Sequence, residues 1–189
     1  MSAYIWIIII GIITVLAIIF IVSVYNNLVS LRSKVRNSWS QIEVQLQRRF
    51  DLIPNLVETV KGYVKHEEKA LTEIARLRTS WSNAGTVAEK TGLAGQLERS
   101  IKSILAVSEN YPELKASTNF SQLQQELKNT EDKVSFSRQF YNDSVTLYNI
   151  KLEKFASNII AGLFKFEPEE LFKVDDIGNR MNPPVSFGG

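Results

Sequence analysis

Cysteine is absent from this 189-residue chain, and its absence excludes several kinds of chemistry. The chain forms no disulfide and has no cysteine nucleophile, thiolate zinc site or iron–sulfur cluster. Lipid attachment to cysteine is excluded as well. The length suits one membrane anchor and one domain of ordinary size, which can bury a core without metals or disulfides.

Histidine occurs once, at His66, and the glycine-rich motifs of nucleotide-binding proteins are missing. The sequence His66-Glu67-Glu68 lacks the second histidine of a helical zinc motif, so a surface histidine on a charged helix face is the favoured interpretation. No G-x-G-x-x-G, Walker A or glycine-rich nucleophile turn is found. We therefore expect no catalytic residues, no metal and no cofactor, and we predict that the protein is not an enzyme.

Charge of one sign is also scarce, because the formal net charge is only +2 and the basic residues are spread thinly. A nucleic-acid surface would need a more basic and more clustered face. Glycine and proline are sparse, and there is no low-complexity tract. We expect no nucleic-acid partner.

No charged side chain occurs from Tyr4 to Val24, where isoleucine dominates. At 1.5 Å per residue this run reaches about 31 Å, enough to cross the hydrocarbon core of a membrane. A cleaved signal peptide is the alternative, but no Lys or Arg precedes the run, which is also too long and lacks an A-x-A site. The predicted anchor residues include Ile5, Trp6, Ile10, Gly11, Leu16 and Phe20.

The orientation of the anchor follows from the flanking charges. Arg32, Lys34 and Arg36 lie just after the run, whereas the side before it offers only the α-amine. The positive-inside rule then predicts an outside N-terminus and a cytoplasmic domain.

Beyond the anchor, three long segments have apolar residues spaced by three and four, which indicates helices. The first runs from Leu28 to Leu77, and Pro54 predicts a kink near Ile53. The stretch from Ser80 to Gly92 is the best loop candidate, and Thr86 with Glu89 predicts a capping box that starts the second helix. This helix should end near Asn110, because Pro112 disfavours helical geometry in Tyr111.

The third helix is predicted to open at Ser117, Thr118 and Asn119 and to carry a nearly heptad stripe from Phe120 to Phe155. The fold class is therefore all-α: an N-terminal transmembrane helix continuing into an elongated antiparallel helical bundle or coiled coil. The predicted domains are an anchor over 1–24, a helical domain over 25–172 and a flexible tail over 173–189. The second helix is shorter than the others, so self-association would cover the remaining apolar stripes.

Two groups of residues are candidates for a site. Arg48, Arg49, Asp51 and Pro54 predict a capping and salt-bridge cluster at the kink, with contact to an anionic lipid or a partner carboxylate as the alternative. The dipeptides Tyr141-Asn142 and Tyr148-Asn149 are seven residues apart and share one helix face. They predict a buried ladder between helices that fixes register or oligomer contacts, with a ligand site as the alternative.

The apolar segment from Ile159 to Phe166 is expected to fold back as the last piece of the core, with a membrane-interface position as the alternative. After Glu167, the sequence Pro168-Glu169-Glu170 predicts the first turn of a short helix.

A resemblance to a known family rests on long blocks of this sequence. The most specific block is Arg48-Arg49-Phe50-Asp51-Leu52-Ile53-Pro54-Asn55-Leu56-Val57, and it is preceded by Val35-Arg36-Asn37-Ser38-Trp39. With Glu109-Asn110-Tyr111-Pro112 and Arg138-Gln139-Phe140-Tyr141-Asn142, it resembles the signature of the LemA family of bacterial membrane proteins, over about Ile5 to Phe172. The resemblance implies a bacterial plasma-membrane protein with a short outside N-terminus, one membrane helix and a cytoplasmic helical domain. It implies no catalytic residues.

The function that we expect is a non-enzymatic, membrane-anchored oligomeric helical scaffold that organises the membrane or partner proteins. Its partners would be membrane lipid through the anchor, further copies of the chain and an unidentified protein. The alternative is an adaptor or sensor module that binds a membrane protease or a signalling protein.

Overall fold

The computed structural model describes residues 2–63 and 68–173, and this part of the chain is helical without any strand. The predicted all-α fold is confirmed. His66 and the predicted tail beyond Lys173 lie outside the described residues. The helices are α1 (Ser2–Asp51), α2 (Ile53–Lys61), α3 (Glu68–Asn83), α4 (Val87–Ser108), α5 (Pro112–Lys115), α6 (Thr118–Glu153) and α7 (Ser157–Leu163).

Helix α1 runs from Ser2 to Asp51 without a break, because no proline occurs before Pro54 and the last glycine in the helix is Gly11. The predicted continuation of the anchor into the following segment is confirmed. By length and composition, this helix can cross a membrane, and its apolar N-terminal part buries nothing within the described chain. The large side chains of the predicted anchor are all exposed: Ile5, Trp6, Ile10, Leu16 and Phe20.

The interruption expected near Ile53 lies at Leu52, between α1 and α2. Pro54 occupies the first turn of α2, where a missing backbone N–H costs no helical hydrogen bond. The Leu52 N–H donates to the Arg49 carbonyl at 3.3 Å, a tightened turn that closes α1.

Contacts divide the chain into two units. The described part of unit 1 comprises 2–44 and 133–171. In it α1 and α6 run antiparallel, because the Trp39 ring meets the Tyr141 ring at 5.7 Å while Arg32 lies near Tyr148, further along α6. The core of unit 1 is apolar and includes Leu28, Val35, Ile42, Val134, Val145 and Tyr148.

The described part of unit 2 comprises 45–63, 68–132 and 172–173. Here α2 packs on α3, and α3 packs on α4. The Phe50 and Trp81 rings are stacked, with their centroids 4.6 Å apart, and the Trp81 Nε1–H donates to Gln47 Oε1 at 2.8 Å. These contacts join the end of α1 to α3.

The loop predicted from Ser80 to Gly92 is much shorter in the structure, because α3 continues to Asn83 and α4 begins at Val87. Trp81 is buried, and its packing on Phe50 keeps this polar stretch helical. The predicted capping box is confirmed: the Glu89 N–H donates to the Thr86 hydroxyl at 3.2 Å, and the Thr86 N–H donates to the Glu89 carboxylate at 3.0 Å.

Two other expectations are wrong. Phe155 was expected on the buried stripe of the third helix, yet it is 88% exposed, because α6 ends at Glu153 and the chain turns at Ala156 with φ 66°. Residues 168–170 form no helix. Their backbone groups instead bind side chains of α6, as described next.

Candidate functional site

The last described residues of unit 1, 166–171, lie on α6 as an extended segment that we call the strap. The Tyr141 hydroxyl donates to the Glu170 carbonyl at 2.9 Å, and the Tyr148 hydroxyl donates to the Glu167 carbonyl at 3.0 Å. Asn149 makes two bonds to Glu169: its Nδ2 donates to the carbonyl at 2.9 Å, and its Oδ1 accepts the N–H at 3.0 Å. The strap therefore satisfies its backbone with side chains in place of a helix.

Burial keeps the two tyrosines as hydrogen-bond donors. Burial, with smaller contributions from the nearby Glu169 and Glu170 carboxylates, raises the pKa of Tyr141 to about 12. Burial is also the main reason that the pKa of Tyr148 is raised. Both hydroxyls stay protonated at neutral pH, as their bonds to carbonyl oxygens require.

Three of the four residues predicted to form a Tyr–Asn ladder, Tyr141, Tyr148 and Asn149, bind the strap in the described chain. Tyr141 and Tyr148 are buried, Asn149 is half-buried, and Asn142 is half-buried beside Tyr141. The sequence predicts the strap only weakly: Pro168 restricts Glu167 to an extended backbone but does not indicate which residues the segment contacts.

A groove opens in unit 1 directly after the apolar part of α1. The Tyr25 ring packs on Phe164 and Phe166, with centroids 4.8 and 5.7 Å apart. The groove has a volume of about 380 Å³ and is lined by Tyr25, Val29, Arg32, Ser33, Arg36, Phe164 and Phe166. We call it the anchor groove; its lining combines two guanidinium groups and a hydroxyl with an aromatic wall.

Near the interruption of α1, the two adjacent arginines have different surroundings. Arg49 is buried in unit 2 and forms an ion pair with Glu131, whereas Arg48 is exposed. Asp51 accepts a hydrogen bond from Gln47 Nε2 at 2.9 Å, and Pro54 is exposed. Because Arg49 is committed to Glu131, the two arginines do not face one common ligand.

Unit 2 also has an open groove of about 600 Å³ between α2 and the start of α6. Its polar lining includes Asn55, Glu58, Tyr63, Asn119 and Glu126. Across residues 2–63 and 68–173, no cluster of histidine and carboxylate side chains is suited to hold a metal ion.

Helix α6 carries an exposed apolar stripe, which consists of Phe136, Phe140, Leu147 and Ile150; Lys34 Nζ lies 5.6 Å from the Phe140 ring centroid. Their exposed fractions are 75, 38, 51 and 44%. Spacings of four, seven and three residues place them on one helix face, opposite the buried Val134, Tyr141, Val145 and Tyr148. Helix α6 is therefore apolar on two faces, and the core of unit 1 covers only one of them.

Comparison with known proteins places this chain among membrane-associated helical proteins. A family model described as the LemA family matches residues 38–187. A protein LemA from Metamycoplasma hominis is 28% identical over 80% of this chain and 70% of its own length. Magnetosome protein MamQ 2 from Paramagnetospirillum magneticum is 23% identical over 82% of this chain and 66% of its own length, slightly less than two thirds.

Proposed function

The chain belongs to the LemA family, and on that premise we propose that it is a non-enzymatic, membrane-anchored scaffold that assembles through the exposed stripe of α6. The observation that carries the proposal is the stripe itself, Phe136, Phe140, Leu147 and Ile150. Single exposed apolar residues are common on proteins, but four on one heptad-spaced face are typical of a helix that packs on another helix.

The partner that we propose is a second copy of the same chain. Copies anchored by the same α1 helix have the same orientation and present their stripes at the same height above the membrane, so assembly needs little further ordering. Asp143 lies within the stripe and is exposed. Because two aspartates would repel each other in a symmetric pair, we favour a head-to-tail interface, in which the stripe packs on a different face of the neighbouring copy at the same height; it allows assemblies of more than two copies.

The absence of a named reaction supports the non-enzymatic part of the proposal. The names of the relatives, protein LemA and magnetosome protein MamQ, specify no reaction. We further propose that the protein resides in the bacterial plasma membrane with the helical domain in the cytoplasm, as the cations Arg32, Lys34 and Arg36 predict. We also propose that the scaffold binds a further, unidentified protein.

Light scattering of the full-length protein in a mild detergent tests the scaffold. We expect a discrete multimer, and we expect Phe136→Ser with Leu147→Ser to dissociate it without loss of helicity. Val44→Ser is the matched control, because Val44 is 63% exposed and lies on α1 outside the stripe. A monomeric wild-type protein would contradict the proposal, as would a double variant that keeps the wild-type mass.

The adaptor function remains the second candidate, because the polar groove of unit 2 could receive a peptide. Carboxylates at Glu58 and Glu126 favour a basic segment. Stoichiometric co-purification of one protein with a monomeric chain, lost in a Glu58→Gln, Glu126→Gln variant, would favour the adaptor over the scaffold.

A further inference from the structure

We propose that the anchor groove binds the phosphate of an anionic phospholipid headgroup in the membrane that α1 crosses. This inference rests on the proposed membrane anchoring. It concerns a second, specific contact with lipid, beside the nonspecific contact of the apolar helix.

The height of the anchor groove is the first argument. No charged residue precedes Arg32 in the sequence. The rise from Val24, at the end of the apolar run, to Arg32 is about 12 Å along α1. That distance matches the depth of one headgroup layer plus the reach of an arginine side chain that extends back towards the membrane. Tyr25 lines the groove and directly follows the apolar run, at the position where interfacial aromatic residues are typical.

The chemistry of the lining is the second argument. Arg32, Arg36 and the Ser33 hydroxyl offer hydrogen-bond donors, and guanidinium groups bind phosphate through paired N–H bonds. The same groove is lined by the aromatic set Tyr25, Phe164 and Phe166, whose rings contact one another. A lining that combines guanidinium groups with aromatic rings suits an amphipathic anion, whereas a free inorganic anion would gain nothing from the aromatic rings.

Arg32 has unused capacity to bind such a ligand. Its Nε is buried and makes no hydrogen bond, and its nearest recorded carboxylate, Glu169, is 3.9 Å away. Arg36 is exposed and makes no ion pair among the residues that the structure describes. Glu169 opposes the binding of an anion and leaves the groove with one net positive charge.

The surface beside the groove is also suited to lipid. Because α6 runs antiparallel to α1, its C-terminal end and α7 lie at the membrane end of unit 1. Three large apolar side chains there are exposed by more than half: Phe155 (88%), Ile159 (63%) and Leu163 (71%). Such residues are favoured at the boundary between headgroups and acyl chains.

The experiment uses the full-length protein in lipid nanodiscs and spin-labelled lipids, and it measures the association of phosphatidylglycerol relative to phosphatidylcholine. We expect a preference of at least about fivefold for phosphatidylglycerol, the effect of one arginine near an anionic headgroup. Arg32→Gln and Arg36→Gln should each remove most of it, and Glu169→Gln should increase it. Arg36→Gln keeps the test valid if Arg32→Gln disturbs the fold.

Lys34→Gln is the matched control. Lys34 lies at the same height on α1 and loses the same charge, but its Nζ lies 5.6 Å from the Phe140 ring centroid and it does not line the groove. An equal loss in Lys34→Gln would mean diffuse surface attraction and would overturn the site. Inorganic phosphate that abolishes the preference at constant ionic strength would identify free phosphate as the ligand and overturn the lipid assignment.

The same nanodiscs separate this inference from the proposed function. A protein that inserts and forms multimers but shows no preference for phosphatidylglycerol overturns the headgroup site alone. A protein that does not insert overturns the proposed anchoring, and with it the site.

Discussion

The ion pair between Arg49 and Glu131 predicts an asymmetric response to mutation. The Arg49 side chain is 5% exposed, whereas the Glu131 side chain is 35% exposed. Truncation of one partner of a buried pair costs about 3–5 kcal/mol, because the other charge is left without compensation. The outcome should therefore depend on which charge remains, since the Glu131 side chain is partly exposed to water and the Arg49 side chain is almost fully buried.

Glu131→Ala leaves the Arg49 charge inside unit 2, and we expect it to lower the free energy of unfolding by about 3 kcal/mol. Arg49→Met replaces the guanidinium with a flexible apolar side chain and leaves a carboxylate on a partly exposed side chain, which water can solvate at least at one oxygen. We expect it to cost about 1 kcal/mol. The double variant should be close to Arg49→Met, because no uncompensated buried charge remains.

The assay is urea unfolding of the full-length protein in a mild detergent, followed by tryptophan fluorescence and circular dichroism. Trp81, stacked on Phe50 beside Arg49, is a local probe. Urea is preferable to guanidinium chloride, because the salt would screen the charges. The exposed pair Glu73–Arg76 is the control, and its two truncations should behave alike. Equal costs for Glu131→Ala and Arg49→Met would refute the reasoning.

Three further predictions concern unit 1 and the start of α4. The pKa of Tyr141 is about 12 in the folded protein and its ordinary value is 10.0, so its stabilising contribution is present below pH 10 and is lost as the pH rises towards 12. In a pH titration, ionisation of Tyr141, followed by phenolate absorbance, should coincide with a loss of helicity. Tyr141→Phe should remove this titration step. Ala156→Gly should raise the melting temperature, with a gain of about 1 kcal/mol, because Ala156 has φ 66°; a loss of stability would contradict this. Thr86→Ala should cost about 1 kcal/mol in urea unfolding and Thr86→Ser much less, whereas equal costs would show that the cap hydroxyl is not what matters.

The parts of the fold that could be predicted are those that local sequence determines. Helix α1 continues past the anchor because no breaker occurs in it, and the Thr86–Glu89 capping box follows from two residues three apart. The extension of α3 through Asn83 could not be predicted, because it depends on Trp81 packing against Phe50, which is 31 positions earlier in the chain.

The site was less predictable, because burial depends on partners far away in the sequence. Nothing local distinguishes Arg48 from Arg49, yet only Arg49 meets Glu131. On α6 both faces carry apolar side chains, so periodicity alone does not say which face is covered. The spacing of Tyr141 and Tyr148 indicates that they share a helix face. The strap has no periodicity of its own, so no sequence pattern predicts that it contacts these two tyrosines.

The unbroken course of α1 has a mechanical consequence. A membrane helix adjusts to the thickness of the bilayer by tilting. Since α1 has no joint between the anchor and Trp39, the part packed on α6 must tilt with it. The rise from Val24 to Trp39 is about 22 Å, so a tilt of about 10° moves Trp39 sideways by about 4 Å. In the proposed anchored assembly, a change in bilayer thickness would therefore displace unit 1 sideways and change the spacing between neighbouring copies.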